Sequence, residues 1–224
     1  MVNKPTITIL ILFIITALFY IAIASYITYP MTTILKPIPI LLLIVAVWQS
    51  SVLEQYKRLL ILALGFSALG DIMLTLPIQL SLELGIGFFM VAHGCYIALF
   101  LKNDVFQVRQ TIYFLPVLIV SVFVFFYLRP YAGELFLPVS IYICVLTAMV
   151  FCAFQSKQNT VLLASGALIF MLSDLILALN QFVFPGSYIR LLIMPAYYLA
   201  QCLLVLGVIS LGRENNCAVN AVCQ

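Results

Sequence analysis

Charge is what this sequence has least of. Only 8% of its 224 residues are Asp, Glu, Lys or Arg, while 66% are hydrophobic, and the mean hydropathy is +1.25. Soluble chains carry roughly 25% charged residues. A water-facing surface cannot be built from so few, so lipid must serve as the solvent. Histidine is nearly missing as well. One His, and six Cys without a CxxC pair, leave no ligand set for a structural zinc. The net charge of +3 is small and scattered, which argues against a nucleic-acid partner. Short alternating strands are absent too, and runs such as Leu59–Leu76 exclude a β-barrel. Unpaired backbone groups in lipid are too costly for anything but helix.

What is present is a series of apolar runs of near-spanning length. Divided at charges and at Pro or Gly, they predict eight helices, at 6–27, 38–52, 59–77, 83–101, 111–128, 135–154, 160–181 and 190–211. The fold class is therefore an all-α polytopic membrane protein. Residues 1–211 form one transmembrane domain, and 212–224 a short polar cytoplasmic tail. The second span is short, and its Pro37 and Pro39 suit a helix start. With the N-terminus inside, the inner segments carry Lys4, Lys57, Arg58, Lys102, Arg109, Lys157 and Arg213, and the outer ones Lys36, Arg129 and Arg190. Seven against three places both termini in the cytoplasm, in a bacterial inner membrane. Lys4, the apolar run and Ala22-Ile23-Ala24 resemble a signal peptide. The run's length and the many spans that follow predict a retained first helix. Cys95, Cys144, Cys152 and Cys202 fall in spans as small hydrophobes, and the cytoplasm would keep Cys217 and Cys223 reduced.

Two carboxylates, Asp71 and Asp174, fall well inside spans. A charge there costs at least ~2.5–3.5 kcal/mol on insertion scales. At ~1.5 Å per residue, Asp71 lies about 20 Å along its helix from Arg58, and Asp174 about 26 Å from Lys157. Both thus belong to the outer half of the bilayer and can face a common cavity. Asp71 is followed 19 residues later by Met90-Val91-Ala92-His93, and Asp174 20 residues later by Met194-Pro195-Ala196-Tyr197. That spacing suggests two four-helix repeats in one orientation. Polar side chains accompany the acids. Ser67, Asp71 and Thr75 share one helix face, as do Asp174 and Gln181, with Ser173 adjacent. His93 and Tyr96 stand at i, i+3, and Tyr197 and Gln201 at i, i+4. Together they predict a polar pocket inside an apolar bundle. Ser, Thr and Gln in spans also serve simply to bond helices together, and Tyr96, Tyr197 and Tyr198 suit packing or the interface. His93 alone is open between the two roles. Gly65, Gly70, Gly85, Gly87, Gly94 and Gly166 are expected to let helices approach closely.

Four segments carry a family pattern. Gly65-Phe66-Ser67-Ala68-Leu69-Gly70-Asp71-Ile72-Met73-Leu74 contains FSxxGDxxL, and Phe89-Met90-Val91-Ala92-His93-Gly94-Cys95-Tyr96 contains FxxAHxxY. Phe170-Met171-Leu172-Ser173-Asp174-Leu175-Ile176-Leu177-Ala178-Leu179-Asn180 contains FxxSDxxLAxN, and Tyr197-Tyr198-Leu199-Ala200-Gln201 closes the series. In this order they resemble the YhhN-like lysoplasmalogenase family. The resemblance implies a multispanning hydrolase that cleaves the vinyl ether bond of alkenyl-lysophospholipids to a fatty aldehyde and a glycerophospho-base. It implies no cofactor and no metal. Its partners are the lysophospholipid substrate and membrane lipid.

Chemistry fits that expectation. Protonating the outer alkene carbon of a vinyl ether gives an oxocarbenium ion, to which water adds before the hemiacetal collapses. One acid and one anion are needed, as in glycosidases. Burial disfavours charged carboxylates, and neighbouring ones resist double ionisation, so Asp71 and Asp174 are the expected catalytic pair, with either one as the acid. His93 would orient a carboxyl or relay the proton. Tyr197, Gln201 and Asn180 would hold water or the glycerol oxygens, and Tyr96, Ser67 and Ser173 complete the substrate-binding candidates. Arg190 reads first as an interfacial anchor and second as a phosphate partner. The alternative function is a proton-coupled small-molecule or lipid transporter using the same aspartates, separable by gradient-driven uptake without aldehyde release. A scaffold or another lipid hydrolase are further rivals.

Overall fold

The apolar runs fold into helices because lipid leaves their backbone groups no other partners. The computed structural model describes residues 4–102, 106–156 and 160–222, with side chains over 6–102, 106–156 and 161–210. The helices are α1 (Lys4–Ile23), α2 (Met31–Leu35), α3 (Ile38–Trp48), α4 (Glu54–Met73), α5 (Ser81–Leu101), α6 (Val108–Leu128), α7 (Phe136–Gln155), α8 (Thr160–Ala178) and α9 (Ile193–Val222). A π-helical turn, Leu179–Val183, extends α8, and a 3₁₀ turn, Tyr188–Leu192, leads into α9.

Among the described residues, seven helices are long and apolar enough to cross a membrane. α4 is the eighth long helix. At 20 residues it matches the others in length, but it carries Glu54, Lys57, Arg58 and Asp71. It packs against α2, α3, α5 and α9. The chain is an all-α polytopic membrane protein, with about eight spans as the sequence indicates.

Two boundaries differ from the sequence reading in ways that matter. The second span is not the short 38–52 segment but Met31–Trp48. The Lys36 N–H bonds to the Thr32 carbonyl at 3.0 Å and the Leu41 N–H to that of Pro37 at 3.0 Å, so α2 and α3 join through Lys36 and Pro37. Prolines at the first positions of α3 give up only donors that a helix start leaves unused. Lys36 thereby moves from a loop into the bundle. At the other end, α9 runs as helix through Val222, so much of the expected tail has helical backbone. The side chains of Lys4, Arg213 and Cys217, and all of Lys157 and Cys223, lie outside the described residues.

The two halves pack in the same order. α1 lies on α3, α3 on α4 and α4 on α5, while α6 lies on α7, α7 on α8 and α8 on α9. The halves meet where α5 crosses α7 and α9 crosses α3. Glycine brings the last pair of each half together. A Cβ on Gly85 would fall 2.5 Å from Leu74, and one on Gly70 2.7 Å from Phe89, across α4 and α5. Across α8 and α9, a Cβ on Gly207 would fall 2.6 Å from Leu163 and one on Gly166 3.0 Å from Leu204. Gly65, Gly87 and Gly94 have nothing within 4 Å of a Cβ, so the expectation of close approach fails for those three. α1 and α6 form the rim, with Leu18 and Ile119 among their exposed side chains. Ser67, Asp71, His93, Ser173 and Gln201 are buried, so polar groups point inward, away from lipid.

Candidate active site

Both aspartates occupy the last turns of their helices, Asp71 in α4 and Asp174 in α8. α7 and α9 start at this same end of the bundle and bring Tyr142 and Tyr197 to it early in their courses. The expected single polar pocket is two polar clusters.

The first surrounds Asp71, which is 2% exposed. Its Oδ1 lies 3.0 Å from Lys36 Nζ. Lys36 is itself fixed from α9, where the Tyr198 hydroxyl donates to its carbonyl at 2.7 Å. The Tyr197 hydroxyl stands beside both Asp71 and Gln201, yet Tyr197 Oη, Asp71 Oδ2 and Gln201 Nε2 are all buried without a hydrogen-bond partner. Gln201 Oε1 accepts from the Tyr96 hydroxyl at 2.6 Å. Ser67 Oγ, one turn before Asp71, is also buried and unpartnered.

The second cluster is a chain of three groups. The Tyr142 hydroxyl donates to Asp174 Oδ2 at 2.6 Å and lies 3.0 Å from His93 Nε2. His93 Nε2 is 3.6 Å from the same carboxylate oxygen, and its Nδ1 is unpartnered. Because the hydroxyl carries one proton, two arrangements satisfy the chain. Either His93 Nε2–H donates to Tyr142, which donates to Asp174, or a protonated Asp174 donates to Tyr142, which donates to His93. A proton can pass between His93 and Asp174 with no heavy atom moving.

The clusters meet at Phe170, whose ring packs edge-on against His93 at 4.9 Å and Tyr197 at 5.5 Å between centroids. Asp174 also lies within electrostatic reach of Asp71. The second cluster opens into a sizeable cavity. A groove enclosing about 820 Å³, its open mouth included, runs between α5, α6, α7 and α8. Its walls are Leu, Ile, Val and Phe almost throughout, interrupted by Asp174, Tyr142, Ser121 and Gln181. Val120 lines the groove while 50% exposed, so the groove opens sideways toward lipid.

A family model described as the YhhN family matches residues 31–208. The chain belongs to the YhhN family. "Lysoplasmalogenase" of Mycobacterium bovis is 29% identical over 164 residues, which are 70% of this chain and 62% of that protein, so the match spans less than two thirds of the relative's length. "Lysoplasmalogenase TMEM86B" of Homo sapiens is 30% identical over 78% of this chain and 74% of its own. "Lysoplasmalogenase TMEM86A" of Bos taurus is 32% identical over 67% and 65%. No solved structure gives a significant match.

The YhhN segment includes every polar residue just described, but it groups them differently from helical spacing. His93 and Tyr96, neighbours on α5, part company: His93 turns to Tyr142, and Tyr96 to Gln201. Tyr197 does reach Asp71 and stands beside Gln201, and Asp174 and Gln181 do line one groove. Ser173 donates to the Ile193 carbonyl at 3.0 Å, tying α8 to the start of α9. Thr75 lies past the end of α4 and returns its hydroxyl to the Ile72 carbonyl at 2.8 Å. Asn180 sits in the π turn with its Oδ1 buried and unpartnered. Arg190 is exposed. Sequence reasoning missed Lys36 and Tyr142. A lysine at a span edge in the same half of the bilayer as a buried acid is a usable signal. A tyrosine among apolar residues gives none.

Proposed function

We propose that this protein is a lysoplasmalogenase, hydrolysing the vinyl ether bond of alkenyl-lysophospholipids in the membrane. The observation that carries this reading is Asp174, hydrogen-bonded by Tyr142, on the wall of an otherwise apolar groove. The names of the relatives support the same activity. The groove suits a hydrocarbon chain drawn sideways from lipid, and it presents one carboxyl group to a chain that has one reactive bond.

The steps follow from that placement. Protonated Asp174 gives its proton to the outer alkene carbon, and the π electrons form the new C–H bond, leaving an oxocarbenium ion on the ether carbon. The carboxylate just formed, with Asp71 within electrostatic reach, steadies that cation in a site shielded from water, where fixed charge acts strongly. A water molecule beside the carboxylate of Asp174 adds to the cation. Its surplus proton returns to Asp174, directly or through Tyr142 from His93, so the acid is restored. Collapse of the hemiacetal breaks the bond to glycerol oxygen and releases aldehyde and the glycerophospho-base. No other reactant is consumed besides water.

The site lies in the outer half of the bilayer if both termini are cytoplasmic. Positive charges support that orientation, because Lys36 lies within a span and only Arg129 and Arg190 then remain in the outer segments.

Purified protein in detergent is expected to release aldehyde from alkenyl-lysophospholipid and to leave the acyl analogue intact. Asp71→Asn and Asp174→Asn should each lower the rate by about 10²–10⁴, the usual worth of a general acid or its electrostatic partner, while the protein stays folded and monodisperse. Near-normal turnover in either variant removes that residue from the mechanism. Hydrolysis of the acyl analogue alone would make the protein a different lipid hydrolase.

A further inference from the structure

Lys36 is held inside the bundle, its side chain 11% exposed, against an aspartate 2% exposed. A buried ion pair is a poor device for stability, since desolvating two charges offsets most of their attraction, and apolar residues of similar size often serve as well. Its presence beside one of two catalytic candidates therefore calls for another explanation. The titratable groups within electrostatic reach of Asp71 are Tyr20 from α1, Tyr197 and Tyr198 from α9, Asp174 from α8 and Lys36 itself. Three are phenols and one is a like charge, so Lys36 supplies the opposite charge in this set. It occupies only Oδ1, while Oδ2 stays buried and unpartnered. The hydroxyl of Tyr198 holds the Lys36 backbone in place.

We propose that Lys36 is a positioning residue that keeps Asp71 as the anion of the pair, which leaves Asp174 to serve as the acid. This rests on the reading of the protein as a vinyl ether hydrolase and deepens it by dividing the two roles. Among the described residues, Asp174 has no ammonium against it. It has a hydroxyl and an imidazole that let its proton come and go. An acid must release and recover a proton in each turnover, whereas an ammonium held against a carboxylate favours its charged form.

The test compares Lys36→Met, Lys36→Arg, Asp71→Asn and the double variant Lys36→Met/Asp71→Asn. Turnover of alkenyl-lysophosphoethanolamine is measured beside infrared spectra of the carboxyl C=O stretch. Lys36→Met should lower kcat about a hundredfold with KM little changed, because the lost interaction acts on the transition state. Lys36→Arg should recover at least about tenfold of that loss by returning the charge. Lys36→Met should also show an additional protonated-carboxyl band, from Asp71 beside that of Asp174, that is missing from the wild type and from the double variant, and it should cost nothing further on top of Asp71→Asn. A kcat within about threefold of wild type, a loss confined to KM, or no new carboxyl band would each overturn the proposal. If Lys36→Met does not fold, Lys36→Gln takes its place with the same expectations. Absence of aldehyde release by the wild type would sink the hydrolase reading instead, and the infrared comparison would still report whether Lys36 sets the charge of Asp71.

Discussion

Tyr142 joins His93 to Asp174 by a single hydroxyl, 3.0 Å from the one and 2.6 Å from the other. Tyr142→Phe keeps the ring and its packing against His93 while cutting the proton path. The expected result is a fall in kcat of about 10²-fold with a stability loss of only about 1 kcal/mol, read by steady-state kinetics and a thermal melt in detergent. An unchanged kcat would mean that Asp174 exchanges its proton without the chain. The two acids themselves were legible from sequence, because a carboxylate inside a span is costly and so demands a reason. Their partners were not. Tyrosine is at home among apolar residues, and Lys36 lies at the edge of its hydrophobic run, where cations are expected. Pairing of Lys36 with Asp71 comes from helices that cross in space, which helical spacing within one segment cannot show.

At the scale of elements, α4, which carries Asp71, and α5, which carries His93, pack closely against each other. Gly85 faces Leu74, and Gly70 faces Phe89, at distances that leave no room for a methyl group. Gly85→Ala should therefore destabilise the protein by about 1–3 kcal/mol through overpacking. Gly87→Ala, with nothing within 4 Å of the new atom, should leave the melting temperature near that of the wild type. Equal melts for the two would contradict the role given to close α4–α5 contact. Composition alone named six glycines as contact points without telling these two apart, since the difference lies in which face of α5 meets α4. Helix boundaries show a similar limit. A run-based reading stops at charge, whereas the helix continues wherever the charge finds a partner, as Lys36 does in the second span and Glu54 does with Lys57 at 3.3 Å at the start of α4.

At the scale of the whole molecule, lipid as solvent accounts for the architecture: apolar faces outward, the two span aspartates inward, and two halves packed in the same helix order. So much could be read from a sequence with 8% charged residues and repeated apolar runs. The groove could not, because it arises from how α5, α6, α7 and α8 are arranged in space and from which side chains fill the gap. Acid and cavity together make the central claim, that the bundle protonates the outer carbon of a vinyl ether whose chain lies in the groove. Turnover of alkenyl-lysophospholipid in D₂O, with the aldehyde trapped as it forms and weighed by mass spectrometry, tests this most directly. The account predicts a single deuterium on the carbon next to the carbonyl. Aldehyde without that deuterium would contradict it.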